Sequence, residues 1–291
     1  MKIVLGQDKF EFLGGTTTLL VDLASALLRQ GHTVYYWCTD HNNNTLSTTE
    51  QWFVNNNIEM YVGQKVDFAI TCQRTATMFF LNKCKVLQLL NSKYTTFEYP
   101  VEGATHVAVT DEVRYFVNDK FNLDVPTIWN GIDLERYKPN GELHEIPRVL
   151  SICQGDDTLL KNTCIELGYE FKSVPKEVGS RIWNIEDLIK DADIVVGIGR
   201  SAMAGMACGK CVISWDNRNL NPNTGCGYIT ADNFKKYMRT NLTGRGFPTI
   251  DLKTELLKYN PADGKALREI AELALNADLN VNKYINEIAL N

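Results

Sequence analysis

Gly197, Gly199 and Arg200 stand between an apolar run, Ile194-Val195-Val196, and a run of small residues from Ser201 to Cys208. A strand, a glycine turn and a helix in that order leave backbone N–H groups unpaired at the positive end of the helix dipole. A phosphate or pyrophosphate suits such a turn, and Arg200 adds a planar donor fork beside it. Gly199, Arg200, Ser201 and Ala202 are therefore the candidate phosphate-binding residues. The helix is too rich in Ala, Gly and Ser for an ordinary surface helix, so something must approach it closely; a packed helix needing small residues is the bland alternative. Gly14 and Gly15, with Thr16, form a second glycine turn at the head of a helix carrying Leu19, Leu20, Leu23, Leu27 and Leu28. Glycine lets a ligand approach the backbone there, or serves a tight loop at positive φ. Asn130-Gly131 is a reverse-turn signal.

The elements that must position these turns alternate along 291 residues, enough for two domains. Strands are expected at Met1–Gly6, His32–Trp37, Asp67–Thr71, Cys84–Leu90 and His106–Val109, with helices at Gly15–Gln30 and Asp111–Asn118, the latter capped near Thr110. His41–Thr49 is Asn-rich and predicted as a polar loop. Val125–Pro139 reads as a strand ending in a turn, and 138–147 as a linker. The alternation then restarts: strands at Arg148–Cys153, Glu170–Val174, Ile194–Val196 and Cys211–Ile213, and helices at Thr158–Leu167, Ile185–Asp191, Lys265–Leu275 and Val281–Leu290. The fold class is α/β, two Rossmann-like domains with parallel sheets, one over 1–143 and one over 144–275. The C-terminal helix, 276–291, is expected to pack back on the first.

A net charge of −5 gives no general attraction to nucleic acid or anionic membrane. No apolar run approaches the ~20 residues of a membrane span, and Met1-Lys-Ile-Val-Leu-Gly6 reads as a strand rather than a signal peptide. The eight cysteines are scattered, several in apolar elements, which points to free thiols and a cytoplasmic protein. Cys208 and Cys211 make a C-x-x-C, but a zinc site needs a second ligand pair and none is evident. No metal or resident cofactor is expected.

Taken together, these stretches resemble the GT-B glycosyltransferases of the family 4 type. Gly14-Gly15 with Leu23–Val34 is similar to the acceptor-side loop and helix of that family. Val107–Val113 and Ile128-Trp-Asn-Gly-Ile-Asp133, followed by Tyr137-Lys-Pro139, are similar to its pre-linker elements and "NGID" signature. Gly199–Gly209 resembles the "GRSALEAMACG" donor helix of one subgroup, and Gly225–Asn233 with Asn241–Arg245 its C-terminal half. The resemblance implies parallel sheets facing across a cleft, and a sugar moved from a nucleotide-sugar co-substrate to an acceptor by a retaining, metal-independent reaction. The donor diphosphate would lie on Gly199–Ala202 with Lys161 assisting. Gly14, Gly15 and Thr16 would form the acceptor or phosphate loop, and Asn130 and Gly131 would line the cleft. Asn91, His106 and Asp111 are the candidate catalytic residues, with Glu98 another possible carboxylate. The acceptor is left open among glycan, lipid, small molecule and modified nucleobase. Where the family carries two glutamates, this chain has Val196 and Ala204. That departure motivates an alternative, a degenerate nucleotide- or glycan-binding protein; a further one is an enzyme of the same shape acting on its nucleotide-sugar alone, such as a 2-epimerase.

Overall fold

A computed structural model describes residues 1–10, 14–42, 45–141, 143–176, 182–218 and 223–290. The chain divides into two compact units, Met1–Asp133 with Ala277–Asn291, and Leu134–Asn276.

The first unit runs β1 (Lys2–Gly6), α1 (Gly15–Arg29), β2 (Thr33–Trp37), α2 (Thr48–Asn55), β3 (Glu59–Met60), β4 (Phe68–Thr71), α3 (Arg74–Leu81), β5 (Lys85–Leu90), β6 (Thr105–Ala108) and α4 (Asp111–Phe121). All strand pairs are parallel, in the order β3-β2-β1-β4-β5-β6. The central strands are buried along nearly their whole length, as a parallel sheet covered on both faces requires. Helix α1 ends at Gln30 and is followed by Gly31 at φ +76, the left-handed conformation that glycine adopts cheaply. Thr110 accepts the Val113 N–H and starts α4.

Two expectations fail in this unit. The polar loop drawn to Thr49 hides the start of α2, which Ser47 and Glu50 open with a capping box; Asn43 and Asn44 lie outside the described residues. The strand expected from Val125 is only an isolated bridge between Thr127 and Ala108. Pro126 has no N–H to extend a ladder, although its carbonyl accepts the Ala108 N–H at 3.0 Å.

The second unit runs β7 (Arg148–Ser151), α5 (Thr158–Leu167), β8 (Glu170–Ser173), α6 (Ile185–Lys190), β9 (Ile194–Gly197), α7 (Arg200–Ala207), β10 (Cys211–Asp216), β11 (Thr224–Tyr228), α8 (Ala231–Met238), α9 (Leu252–Leu256) and α10 (Pro261–Ala274). Its sheet order is β11-β10-β9-β7-β8. The sheet is parallel except for β11, which runs antiparallel beside β10. The connection from Asp216 to Thr224 is too short for a crossover, so the edge strand must turn back. Val149, Ile194, Val196, Ile213, Trp215, Leu160, Leu252 and Leu256 form the core.

The stretch expected as linker is fastened to the second unit. Asn140 donates to the Lys190 carbonyl at 2.8 Å, and His144 bonds Asp193 at 3.0 Å. The chain's last helix, α11 (Ala277–Leu290), belongs to the first unit. There Arg29 bridges Asp133 and Asp278 at 2.9 and 3.0 Å, and Asn280 donates to the Trp129 carbonyl.

Candidate functional site

In the second unit β7 lies where the strand order reverses, with β8 on one side and β9 and β10 on the other. Open α/β sheets bind ligands in the crevice outside the carboxyl ends of the strands at such a point. The turn from β9 into α7 lies there. A Cβ on Gly197 would stand 3.1 Å from Ser201 Cβ, so the backbone closes tightly. Gly199 has φ +54 and ψ −126, a conformation that only glycine takes without strain, and α7 begins at the next residue. The Gly199 N–H donates to the Leu242 carbonyl at 3.4 Å, and the Ser214 hydroxyl donates to the same oxygen at 2.8 Å. Asn241 and Leu242 are themselves left-handed, at φ +59 and +53. For a buried leucine this is an uncommon and strained state. The turn and this loop therefore brace each other. Arg200 and Ser201 are half-buried at the start of α7, and Ala202 is buried.

The adjoining loop after β7 is locked from the far side. A Cβ on Gly155 would lie 2.3 Å from the Asn217 carbonyl oxygen, and Asn217 returns hydrogen bonds to the Gly155 N–H and the Asp156 carbonyl. Asp157 at the head of α5 takes Lys176 at 2.6 Å and the Ser173 hydroxyl at 2.6 Å. Burial raises the Asp157 carboxyl, but these donors outweigh it and hold the group below its ordinary range. Lys176 also donates to the Gly155 carbonyl at 2.7 Å. Lys161 is exposed on α5; Lys176 is the lysine tied to this loop, and sequence reasoning missed it, together with Asn217, while Asn241 and Leu242 figured only in the resemblance and not as the brace of the turn.

The small residues of α7 have a structural cause beyond the first turn. A Cβ on Gly205 would stand 2.9 Å from Val195 Cβ and 3.0 Å from Val212 Cγ2, so the helix lies hard against β9 and β10. A Cβ on Gly264 would lie 2.4 Å from the Gly209 carbonyl oxygen, so α10 too packs closely there. What approaches this part of the helix is the sheet and α10. Cys208 and Cys211 are both buried free thiols; burial pushes Cys208 up to about 12, and Cys211 bonds the Asn260 carbonyl at 3.1 Å.

In the first unit the switch point lies between β1 and β4. Gly14 caps α1 at φ −99 and ψ 174, and a Cβ there would meet no described atom within 4 Å. Gly14 is therefore not a positive-φ glycine, and Gly15 and Thr16 begin the helix. Glu11, Phe12 and Leu13, just before them, lie outside the described residues. Gln7, at the end of β1 and 5% exposed, donates to the Lys9 carbonyl and Thr17 hydroxyl; its Oε1 finds no partner among the described residues.

The candidate catalytic residues occupy different places. Asn91 follows β5 and donates to the Leu89 carbonyl at 3.0 Å. Nearby Glu98 is buried, hydrogen-bonded by Thr95 at 2.8 Å, and burial raises its carboxyl above the ordinary range against the pull of Thr95 and Ser92. His106 lies within β6 opposite Gln88. Its ring bonds the Val101 carbonyl at 3.1 Å and burial lowers its pKa, so it holds the strand to the preceding turn. Asp111 is half-buried at the first position of α4. Asn130 and Gly131 form no reverse turn: Gly131 is glycine because α11 crosses it, where a Cβ would lie 2.7 Å from Ala277 Cα.

No protein-family model matches the chain, and no curated protein matches it by sequence. Solved structures do resemble it. Anabaena HepE in complex with UDP-glucose aligns over 100% of both chains at 12% identity and a TM-score of 0.60. A UDP-N-acetylglucosamine 2-epimerase of Listeria monocytogenes, so named as putative, aligns over 98% of this chain and 94% of its own at 10% identity and 0.56. An α-glucosyltransferase in complex with UDP and a DNA 13-mer containing an HMU base aligns over 99% of each chain at 10% identity and 0.52. These likenesses show the fold: two Rossmann-like units of the GT-B kind. Among the described residues no helix is long and apolar enough to cross a membrane.

Proposed function

We propose that this chain is a glycosyltransferase of the family 4 type, which holds a nucleotide-sugar in its second unit and passes the sugar to an acceptor. The observation that carries the reading is the Gly199–Arg200 turn, which opens α7 at the switch point of the sheet. In this account the Gly199 and Ser201 N–H groups hold the turn Gly199–Ala202 in shape on the Leu242 and Ile198 carbonyls, and the turn binds the donor diphosphate through the Arg200 and Ala202 N–H groups, the Ser201 hydroxyl and the Arg200 guanidinium. They stabilise the negative charge that builds on it as the glycosidic bond breaks, the kind of preorganised donor set that lowers such barriers. Lys161 is a weaker partner, because it is exposed on α5. In the first unit Gly14, Gly15 and Thr16 receive the acceptor or a phosphate, and Asn91 and Asp111, with Glu98, are the groups available to position an acceptor hydroxyl.

The proposed reaction is retaining and needs no metal, acts in the cytoplasm, and moves a hexosyl or pentosyl group. Acceptors within reach are a glycan, a lipid headgroup, a small molecule or a modified nucleobase; the similar α-glucosyltransferase was crystallised with DNA carrying such a base. The test is transfer or donor hydrolysis across a panel of nucleotide-sugars. A nucleotide-sugar that binds and is turned over supports the enzyme; binding with no turnover of any member contradicts it.

A second reading rests on Ala204. It is 4% exposed within α7 where the resemblance places a ribose-binding glutamate. A chain without that carboxylate suits a nucleotide-binding protein that does not turn over, or an epimerase acting on its nucleotide-sugar alone. Product formation without any acceptor would select the epimerase.

A further inference from the structure

Three side chains of different chemistry converge beyond the end of β2. Cys38 follows the strand directly, His41 comes three residues later, and Glu50 lies in the first turn of α2. The Cys38 Sγ is 3.7 Å and the His41 Nδ1 2.8 Å from the same oxygen, Glu50 Oε1. One ligand atom from each residue lies within 4.8 Å of the other two. Cys38 and Glu50 are buried and His41 is half-buried.

We propose that Cys38, His41 and Glu50 form a three-ligand site for a borderline-soft divalent cation of the zinc type. The ligand set is thiolate, imidazole and carboxylate, which favours zinc over magnesium or calcium. Three protein ligands with one position left for water is a common zinc arrangement. The carboxylate is already oriented for the task. Glu50 Oε2 accepts the Ser47 N–H at 2.9 Å and the Ser47 hydroxyl at 2.8 Å, which leaves Oε1 turned toward the other two ligands. Such outer hydrogen bonds are what fix metal ligands in place. Tyr36, stacked on Phe53 at 5.0 Å and edge-on to His41 at 6.0 Å, supplies an apolar wall.

Charge balances as well: a thiolate and a carboxylate neutralise a dication, with the imidazole neutral. Without a cation, the Cys38 thiol donates to Glu50 Oε1 at 3.7 Å. Metal binding displaces that proton to solvent and forms the metal–sulfur bond in its place. The site would tie the end of β2 to α2.

The test is titration of the full chain with Zn²⁺ and with Co²⁺, following bound metal per chain and the thiolate-to-cobalt charge-transfer absorption. The expected result is one ion per chain with a charge-transfer band. Cys38→Ser should remove the band, and His41→Ala should weaken zinc binding by at least about tenfold. Cys84→Ser, at the least buried of the other cysteines, should leave both unchanged. Absence of the band from the unmodified protein overturns the proposal and leaves the three residues a hydrogen-bonded cluster. Persistence of the band in Cys38→Ser overturns it too. If Cys38→Ser does not fold, the unmodified protein's cobalt spectrum and the His41→Ala affinity decide the matter.

Discussion

The Gly199 N–H donates to the Leu242 carbonyl, so the turn that opens α7 hangs from a residue whose own backbone is left-handed. Two unfavourable conformations thus support each other: glycine relieves the first, and the second survives because Leu242 is fully buried and its carbonyl also takes the Ser214 hydroxyl. Strain held in this way by its surroundings is a recurring feature of ligand-binding turns.

Gly199→Ala should therefore destabilise the protein by about 1–3 kcal/mol, because alanine at that φ and ψ carries the strain that glycine avoids. Urea unfolding measures the loss, and the same variant should bind nucleoside diphosphates more weakly than the unmodified chain. Unchanged stability would mean that the turn is not held in the described conformation.

Gly205→Ala tests the packing account of α7 separately from any ligand. The added methyl would meet Val195 Cβ at 2.9 Å, an atom fixed to a central strand. Overpacking of this kind costs about 1–3 kcal/mol, which thermal and denaturant melts would detect. A neutral result would place the helix farther from the sheet than described.

Glu98 gives a pH signature. Its folded pKa is raised by burial, so its contribution to stability is fully present below the ordinary carboxylate pKa of about 4.3 and is lost as pH rises through the folded value. Glu98→Gln, which stays uncharged and keeps an acceptor for Thr95, should raise the melting temperature at pH 7. That advantage should shrink toward pH 4. A gap of the same size at both pH values would rule out burial of the charge as its cause.

Much of this architecture can be read in the sequence because buried parallel strands are short apolar runs and their helices carry clear signals, such as Thr110 before Asp111. The start of α2 was also marked, by Ser47 and Glu50, but the asparagines before it look like loop. β11 eluded the reading because Gly225 and Gly227 weaken the strand pattern. At the donor turn, Gly199 and Arg200 are legible as glycine and arginine between a strand and a helix. Its brace is not: nothing local marks Leu242 as left-handed, and Lys176 reaches the Asp157 loop only because β8 lies beside β7. Gly14 shows the converse. Its sequence allowed a positive-φ turn, whereas at φ −99 and ψ 174 it is the extended N-cap of α1, a position that glycine commonly fills.

The central claim is that the Gly199–Arg200 turn of the second unit binds the diphosphate of a nucleotide-sugar. Isothermal titration of the unmodified chain and Arg200→Ala with a panel of nucleoside diphosphates tests it most directly. The account predicts saturable binding of at least one member, weakened in Arg200→Ala by about 1–3 kcal/mol, the loss of a charge-assisted hydrogen bond. Equal affinity in the two proteins, or no binding of any nucleoside diphosphate, would contradict it.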